Sequence, residues 1–370
     1  MKTKAAVLHA KHEPWDVTEL DLDRPGANEV LVRWVASGMC QSDEHMRHGD
    51  VRPRFPIIGG HEGAGIVEEI GHGVTRVKVG DQVISSFIPA CGHCRWCATG
   101  HSNICDLGAS VQTGSLPGGR FVFHKDGEDY GALGTVATFS QIATVSEYSL
   151  VPFTHQVPLE VAAIVACGVP TGWGSAVYAA DTHPGDTIVV FGIGGIGINA
   201  VQGAAYAGAK NVIAVDPLEN KREAARALGA THVASNSQEA LELAMSLTRG
   251  VGADKSLITV DLIRGRLVNE ALATVRKGGT LVITTWADHD KDTIQISSIE
   301  LTGMERRIQG SLYGSGNPNY DILHMLDLYE AGALKLDELI TAHYTLDQVE
   351  QGYQDLADGK NIRGVILHDT

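Results

Sequence analysis

The chain has 370 residues, of which 44% are hydrophobic and 20% charged, an ordinary composition for a globular protein of about two domains. Its 44 acidic and 29 basic side chains leave a formal net charge of −15, which disfavours binding to nucleic-acid phosphates or to anionic membrane surfaces. The first residues lack the apolar core of a secretory signal, and no apolar run approaches the roughly 20 residues of a membrane span. We therefore expect a cytoplasmic protein that has a small-molecule substrate and no nucleic-acid or membrane partner.

The first part of the chain is predicted to be rich in short strands. From Lys4 to about Val151, short apolar runs alternate with glycine and proline, and they predict strands at Val30–Val35, Gly65–Ile70 and Gln82–Ser86. The segment Asp106–Tyr130 is rich in glycine, proline and polar residues, so it is predicted to be a long surface loop. This part of the chain should form a β-rich domain.

The pattern changes near Thr187, where apolar strands begin to alternate with helical stretches. Such an alternation favours a parallel sheet covered by helices on both faces. The predicted strands are Thr187–Phe191, Asn211–Val215, His232–Ala234, Lys255–Val260 and Thr280–Thr284. The predicted helices between them are Ile196–Ala207, Glu219–Leu228, Gln238–Thr248 and Leu267–Val275. The sequence therefore predicts an α/β domain with a doubly wound parallel sheet.

The tail from about Tyr313 is short for a third domain. It contains helical stretches at Tyr320–Ala331 and Leu346–Ala357 and ends in an apolar strand, Gly364–His368. A return of the chain to the first domain is the more economical interpretation. The predicted division is thus residues 1–168 with 313–370 in one domain and residues 169–312 in the other.

Four of the six cysteines form the cluster Cys91-x2-Cys94-x2-Cys97-x7-Cys105. Tight Cys-x-x-Cys turns can bring four thiolates to tetrahedral corners about 2.3 Å from a zinc ion. Four protein ligands leave no open position, so this zinc would be structural and would stabilise a lobe, about residues 91–105, that has little core of its own. His93 and His101 could substitute as ligands, and an iron–sulfur cluster or unrelated thiols are the alternatives.

The two remaining cysteines, Cys40 and Cys167, each stand alone on a stretch that contains glycine, as does His61. Taken singly, an isolated cysteine is more often a small buried side chain, and an isolated histidine is more often a surface or core residue. Taken together, two thiolates and one imidazole can hold zinc and leave its fourth position open, which is the arrangement of a catalytic zinc site.

A glycine-rich turn, Gly192-Ile193-Gly194-Gly195-Ile196-Gly197, directly follows a predicted strand and opens a predicted helix. In that context the glycines let the backbone approach a pyrophosphate held at the helix N-terminus. Asp216 closes the next strand, where a carboxylate can accept both ribose hydroxyls and would repel a 2′-phosphate, so NAD is favoured over NADP. The alternative is a glycine turn for close packing beside a surface aspartate.

Together these motifs resemble those of the zinc-containing medium-chain alcohol dehydrogenases. The resemblance covers nearly the whole chain, in the segments Gly38–Gly49, Gly59–Gly65, Gly80–Asp81, Cys91–Cys105, Gly168–Ala176 and Gly192–Gly197 and at Arg363. It implies a Rossmann coenzyme domain, a β-rich GroES-like catalytic domain and two zinc ions per chain. It also implies an oxidoreductase that converts primary or secondary alcohols to aldehydes or ketones by hydride transfer to NAD.

The resemblance also assigns roles at the catalytic zinc. It implies that Cys40, His61 and Cys167 are the ligands. It places Glu62 close behind the metal, and it makes Asp43 the partner that orients the histidine ligand. A proton relay through Ser42 and His45 is implied as well, for which a solvated histidine is the alternative.

Further roles follow from the resemblance at the cofactor and the substrate. Thr171 is implied beside the nicotinamide, Lys221 near the adenosine ribose and Arg363 near the pyrophosphate. Phe87 and Phe139 match positions that line the substrate channel, an apolar lining that suits aliphatic or aromatic alcohols, although both could equally be core residues. A homodimer is expected, with a tetramer as the alternative.

Finer expectations come from departures within the motifs. Gln41 stands where family members often have a basic residue that reaches the pyrophosphate, so one charged contact to the cofactor is missing. Asp106 and the residues after it provide no basic side chain, which argues against the alternative activity, thiol-dependent formaldehyde oxidation. A catalytically silent zinc- and NAD-binding scaffold is a further alternative, disfavoured because the ligand set and the relay are complete. The stretch Gly168–Gly174 and the long predicted loop Asp106–Tyr130 are most similar to the nitrosodimethylaniline-dependent subgroup, which keeps NAD tightly bound and passes electrons to an external acceptor.

Overall fold

The computed structural model describes residues 1–263, 265–286 and 293–369. The chain divides into two compact units, Met1–Cys167 with Asn317–Thr370, and Gly168–Gly316. The sequence predicted the two boundaries at 168/169 and 312/313. No helix within the described ranges is both long and apolar enough to cross a bilayer.

The strands of the described residues are numbered in chain order. They are β1 (Lys2–Leu8), β2 (Asp16–Leu22), β3 (Glu29–Gly38), β4 (Ile57–Ile58), β5 (Glu62–Ile70), β6 (Gln82–Ser85), β7 (Phe123–Lys125), β8 (Glu128–Ala132), β9 (Ile142–Ser146), β10 (Leu150–Phe153), β11 (Thr187–Phe191), β12 (Asn211–Val215), β13 (His232–Ala234), β14 (Ala253–Ile258), β15 (Val275–Ile283), β16 (Arg307–Gly310), β17 (Ile340–Tyr344) and β18 (Arg363–Leu367).

The α-helices of the same residues are numbered likewise. They are α1 (Gln41–His48), α2 (Arg95–Ala98), α3 (Ser110–Thr113), α4 (Leu159–Ile164), α5 (Gly168–Gly174), α6 (Gly195–Tyr206), α7 (Glu219–Ala227), α8 (Ser237–Leu247), α9 (Gly265–Thr274), α10 (Ser298–Gly303), α11 (Pro318–Glu330) and α12 (Val349–Ala357).

The first unit contains a closed barrel with the strand order β1-β2-β7-β8-β4. Its interior is filled by apolar side chains such as Val7, Leu20 and Phe123, all fully buried. The prediction that Asp106–Tyr130 is a surface loop was wrong, because this segment contains α3, β7 and the start of β8. These strands are short and carry charged residues outward, so they lack the alternating run by which a strand is recognised in a sequence.

A second sheet of the first unit brings distant parts of the chain together. Its order is β10-β6-β5-β3-β18-β17, and β9 also pairs with β3. Gly38, at the end of β3, pairs with Glu62 of β5 on one side and with Val365 of β18 on the other. The C-terminal segment therefore adds a strand directly beside the residues that begin the candidate metal site.

The second unit is built on a parallel sheet with the order β13-β12-β11-β14-β15-β16. This is the 3-2-1-4-5-6 order of doubly wound nucleotide-binding domains. The predicted strands Thr187–Phe191, Asn211–Val215 and His232–Ala234 have the bounds that the structure shows. Strand β15 begins at Val275 rather than at the predicted Thr280. Val275 pairs with Ala253 ahead of a register shift, and the residues from Arg276 to Gly279 are basic or glycine and give no apolar signal.

Candidate functional site

Four buried side chains of the first unit converge on one point. The ligand atoms of Cys40, His61, Glu62 and Cys167 all lie within 4.8 Å of one another. Cys40 immediately precedes α1, His61 precedes β5, and Cys167 follows α4 by a short turn. The structure thus brings together the two lone cysteines and the histidine that the sequence identified as a possible zinc site. Two thiolates, an imidazole and a nearby carboxylate are a donor set that fits zinc.

The position of Cys40 favours a thiolate. Cys40 is the N-cap of α1, with an extended backbone, so its sulfur lies at the positive end of the helix. A hydrogen bond from the Cys167 thiol and the neighbouring His61 hold the pKa of Cys40 well below its usual range, although burial alone would raise it. Since zinc binds the deprotonated sulfur, this environment prepares Cys40 to act as a ligand.

His61 is held by Asp43 and by a glycine turn. Gly60 has a φ of 82°, and any Cβ at this position would collide with the backbone of Phe139. The Gly60 N–H donates to Asp43 Oδ1 at 2.7 Å, and Asp43 Oδ2 lies 3.4 Å from His61 Nδ1. Burial alone would lower the pKa of His61, but the negative charge of Asp43 and the neighbouring Cys40 raise it to about 10. Asp43 therefore lies where a carboxylate that orients the histidine ligand must be.

Glu62 and Arg363 form a buried ion pair behind the two thiols. The Glu62 carboxylate accepts a hydrogen bond from the Arg363 guanidinium, and both side chains are almost completely inaccessible to solvent. Gly38 leaves room for this carboxylate, because a Cβ at Gly38 would collide with it. The resemblance implied that Arg363 contacts the pyrophosphate, whereas the structure shows it paired with Glu62, so the cofactor role stays a prediction.

Ser42 and His45 lie on α1, directly after Cys40. The Ser42 Oγ is 3.6 Å from the Cys40 Sγ. His45 is only 4% exposed, and its Nδ1 lies 3.0 Å from Asp50 Oδ2. A solvated histidine, the alternative interpretation, does not fit this burial. The role of Asp50 was not predicted from the sequence. Its only sequence signal is that an acidic residue stands five positions after His45, just beyond Gly49, the C-cap of α1.

The four clustered cysteines form a second donor set. Their sulfurs lie within 4.8 Å of one another, with 3.9 Å between Cys91 and Cys97 and 3.8 Å between Cys94 and Cys105. A tetrahedron with zinc–sulfur bonds of about 2.3 Å has edges of about 3.8 Å, so the spacing fits zinc. All six cysteines of the chain are described, and none forms a disulfide.

Backbone groups of the lobe stabilise thiolates in this cluster. The N–H of Cys94 points to the Cys91 sulfur at 3.3 Å, and the N–H of Cys97 points to the Cys94 sulfur at 3.5 Å. The latter hydrogen bond is the main cause that lowers the pKa of Cys94 to about 6. His93 and His101 instead hydrogen-bond the Cys91 carbonyl and the Thr99 hydroxyl, so four sulfurs make up the set without them.

In the second unit, the glycine-rich turn joins β11 to α6. Gly192 has a φ of 89°, and Gly194 is the N-cap of α6. A Cβ on Gly197 would collide with the carbonyl oxygen of Gly192, so the helix can approach the strand this closely only with glycine there. The turn therefore has the close approach of strand and helix that dinucleotide-binding turns require.

Asp216 directly follows β12, beside this turn, and is only 5% exposed. Its Oδ2 accepts a hydrogen bond from the Ile193 N–H at 2.8 Å, and its Oδ1 accepts one from the Leu218 N–H at 3.0 Å. A surface aspartate, the alternative interpretation, does not fit this burial. Sequence reasoning missed Arg222, whose guanidinium donates to the carbonyls of Asp216 and Pro217.

The remaining predicted residues lie in different settings. Lys221 is half-buried on α7, and the buried Thr171 hydroxyl has no hydrogen-bond partner among the described residues. The ring of Phe87 contacts the ring of His61 edge-on, with centroids 5.7 Å apart. Phe139 is fully buried and packs on Trp15 at 5.9 Å, so the structure places it in the core, the alternative that the sequence left open.

Comparisons with known proteins agree with this architecture. Residues 26–160 match the family model of the alcohol dehydrogenase GroES-like domain, and residues 195–331 match that of the zinc-binding dehydrogenases. The chain is 55% identical over 370 residues to the NDMA-dependent alcohol dehydrogenase of Amycolatopsis methanolica, with 100% of each chain covered. It is 44% identical to alcohol dehydrogenase B of Mycobacterium tuberculosis, covering 100% of this chain and 99% of the relative.

A solved structure shows the same fold over the full length. The benzyl alcohol dehydrogenase of Acinetobacter calcoaceticus superposes with a TM-score of 0.92 at 28% identity, with 100% of each chain covered. These findings confirm the predicted fold class and the predicted alcohol dehydrogenase activity. The chain belongs to the zinc-containing medium-chain alcohol dehydrogenases, in the group that includes the NDMA-dependent enzyme.

Proposed function

We propose that this alcohol dehydrogenase holds a catalytic zinc through Cys40, His61 and Cys167 and transfers hydride from a primary or secondary alcohol to an NAD that stays bound between turnovers. The observation that supports it best is the buried donor set, whose ligand atoms lie within 4.8 Å of one another. Zinc bound there would supply Lewis-acid chemistry, which lowers the pKa of an alcohol oxygen toward neutrality.

The protein groups around this donor set have separable tasks. Asp43 holds His61 through its Oδ2, 3.4 Å from Nδ1, and is itself fixed by the Gly60 N–H. Arg363 donates a hydrogen bond to the Glu62 carboxylate, so a buried cationic partner compensates this acidic group beside the two sulfurs. Phe87 contacts the His61 ring and would give a substrate site next to it an apolar wall, which suits aliphatic or aromatic alcohols.

The proton of the alcohol must leave a buried site. Ser42 is the first hydroxyl after the Cys40 sulfur, at 3.6 Å, and His45 follows on the same helix. Asp50 lies 3.0 Å from His45 Nδ1 and can fix the ring so that its other nitrogen exchanges a proton. This arrangement supports the relay of Ser42 and His45 that the sequence predicted.

The second unit supports NAD as the hydride acceptor. Its glycine turn opens the N-terminus of α6, and Asp216 lies beside the turn with a buried carboxylate. Ribose hydroxyls can donate to that carboxylate, whereas a 2′-phosphate would be repelled by it. The similarity to a relative whose name records NDMA dependence supports a bound NAD that is reoxidised in place by an external acceptor.

The bound state of the cofactor can be measured directly. Denaturing the purified protein after gel filtration should release nearly one NAD per chain, because a cofactor that serves through many turnovers must dissociate slowly. The released dinucleotide is measured by its absorbance after chromatography. An empty supernatant, together with turnover that requires added NAD, would exclude the tightly bound cofactor while leaving the alcohol dehydrogenase activity intact.

The preference for NAD can be tested at Asp216. We expect Asp216→Asn, in protein freed of nucleotide, to weaken NAD binding by about 10- to 100-fold and to reduce the preference over NADP, because hydrogen bonds to a charged acceptor are lost. Fluorescence titrations with both dinucleotides give the two affinities. Asp186→Asn is the matched control, since Asp186 also accepts a backbone N–H, that of His183, but lies before β11. Equal NAD affinity in Asp216→Asn and the unaltered protein would contradict the assignment.

A further inference from the structure

A buried tyrosine lies next to the proposed zinc site without an assigned role. Tyr353, on α12, is 2% exposed and belongs to an apolar cluster of the first unit that includes Trp15 and Phe139. Its hydroxyl has no hydrogen-bond partner within 3.5 Å among the described residues. A buried hydroxyl without a partner is uncommon, because removing it from water is costly unless another group replaces the lost hydrogen bonds.

Aromatic contacts fix the tyrosine ring between the two segments that carry Asp43 and His61. The ring stacks on Trp15, with centroids 5.8 Å apart and planes 18° from parallel, and it also packs on Phe139 at 6.2 Å. The Trp15 indole N–H donates to Glu44, the residue after Asp43, at 3.0 Å. The Phe139 N–H donates to the Gly59 carbonyl, two residues before His61, at 3.0 Å.

The electrostatic surroundings keep this hydroxyl protonated and direct it toward a carboxylate. Burial raises the pKa of Tyr353 well above its usual value, and the negative charges of Asp43, Glu44 and Cys40 raise it further. A phenol that keeps its proton is a hydrogen-bond donor. Of the three charged groups, Asp43 has the largest effect on the hydroxyl, which points to its carboxylate as the acceptor.

Asp43 has an oxygen available for such a donor. Its Oδ1 accepts from the Gly60 N–H, but its Oδ2, fully buried, has no aligned hydrogen bond. The 3.4 Å contact between Oδ2 and His61 Nδ1 is close but not aligned as a hydrogen bond, and His61 Nδ1 likewise has none. Three buried polar atoms, of Tyr353, Asp43 and His61, are thus each short of a partner in one small region.

We propose that Tyr353 is a positioning residue for the zinc site, whose hydroxyl donates to Asp43 Oδ2 and so holds the carboxylate in the orientation that accepts the Nδ1 proton of His61. The hydrogen bonds run from tyrosine to aspartate to histidine, with the histidine left to bind metal through its other nitrogen. This inference rests on the proposed zinc ligands Cys40, His61 and Cys167. Partners of ligating histidines commonly change metal affinity or activity 10- to 100-fold when they are altered.

The test is the rate at which Tyr353→Phe loses zinc to a chromogenic chelator. Phenylalanine keeps the ring that packs on Trp15 and Phe139 and removes only the hydroxyl. Both proteins are loaded with zinc, and release is followed with time. The phase that belongs to the catalytic site is the one absent from a Cys167→Ala variant. We expect that phase to be about tenfold faster in Tyr353→Phe, with the phase of the four-cysteine cluster unchanged.

Tyr344→Phe is the matched control. Tyr344 lies in the same apolar cluster, and its hydroxyl bonds Asp355 and Asn361 at 3.0 and 3.1 Å instead of Asp43. Its loss should lower the melting temperature but leave zinc release at the rate of the unaltered protein. If Tyr353 had only a structural role, Tyr353→Phe would behave like Tyr344→Phe and release zinc at the rate of the unaltered protein. That result would overturn the proposal. If the unaltered protein held only one zinc, the proposed function would fail instead, so the two failures are distinguishable.

Discussion

Replacing Cys167 by alanine should lower kcat/KM by at least about a thousandfold and reduce the zinc content from two ions per chain to one. The substitution removes one of the three proposed zinc ligands, while a methyl group fits easily where a buried thiol stood. Lewis-acid stabilisation by a metal contributes several kcal/mol to the transition state, and each 1.4 kcal/mol corresponds to about a factor of ten in rate. Steady-state kinetics and elemental analysis of the same preparation check both parts.

The second unit does not contain Cys167, so its cofactor binding serves as the internal control for this variant. Cys167 ends the first unit, and the nucleotide turn belongs to the second. The NAD content of Cys167→Ala should therefore match that of the unaltered protein, and circular dichroism should show the same fold. Activity close to that of the unaltered protein, with one zinc missing, would show that the metal at this site has no part in the chemistry.

The second large effect is expected at the four-cysteine cluster. Cys97→Ser should lose the structural zinc, lower the free energy of unfolding by about 4 kcal/mol or more and expose the lobe to proteases. Without a metal, thiols of this cluster ionise very unequally: burial, helped by Cys105 and Cys94, raises the pKa of Cys97 to about 12, while backbone hydrogen bonds lower that of Cys94 to about 6. A divalent cation removes this inequality, and its loss leaves a lobe with few buried apolar side chains.

Thermal unfolding and limited proteolysis measure this effect. His93→Ala is the control, since His93 lies inside the cluster but bonds the Cys91 carbonyl rather than joining the sulfurs. It should keep two zinc ions and the stability of the unaltered protein. A large loss of zinc in His93→Ala, with little change in Cys97→Ser, would mean that histidine is a ligand, the alternative that the sequence left open.

The sequence predicted the second unit better than the first for a physical reason. Buried parallel strands are continuous apolar runs, so Thr187–Phe191 and Asn211–Val215 could be located to the residue. Strand β16 could not be located from the sequence, because it is largely exposed at the edge of the sheet and contains only one strongly apolar residue, Ile308. The barrel strands β7 and β8 were missed because short, twisted strands with charged outer faces resemble loop composition.

The candidate site shows a similar division. Residues with metal-binding chemistry, such as Cys40 and Cys94, stand out by type and spacing, and glycine turns mark where they lie. The residues that surround such functional groups do not stand out in the sequence. Asp50, Arg222 and Tyr353 are common residue types, and their roles depend on which side chains the fold places beside them. The burial of Phe139 could not be predicted either, since an aromatic residue suits a channel wall and a core equally well.

The pairing of Glu62 with Arg363 has a consequence for biosynthesis. Arg363 lies 301 residues after Glu62 along the chain, so Glu62 is synthesised long before its partner. A nascent polypeptide must therefore hold this acidic group near its future metal ligands without the guanidinium while the whole of the second unit, Gly168–Gly316, is translated. The ion pair beside the metal ligands can thus form only after the nucleotide-binding unit has been synthesised.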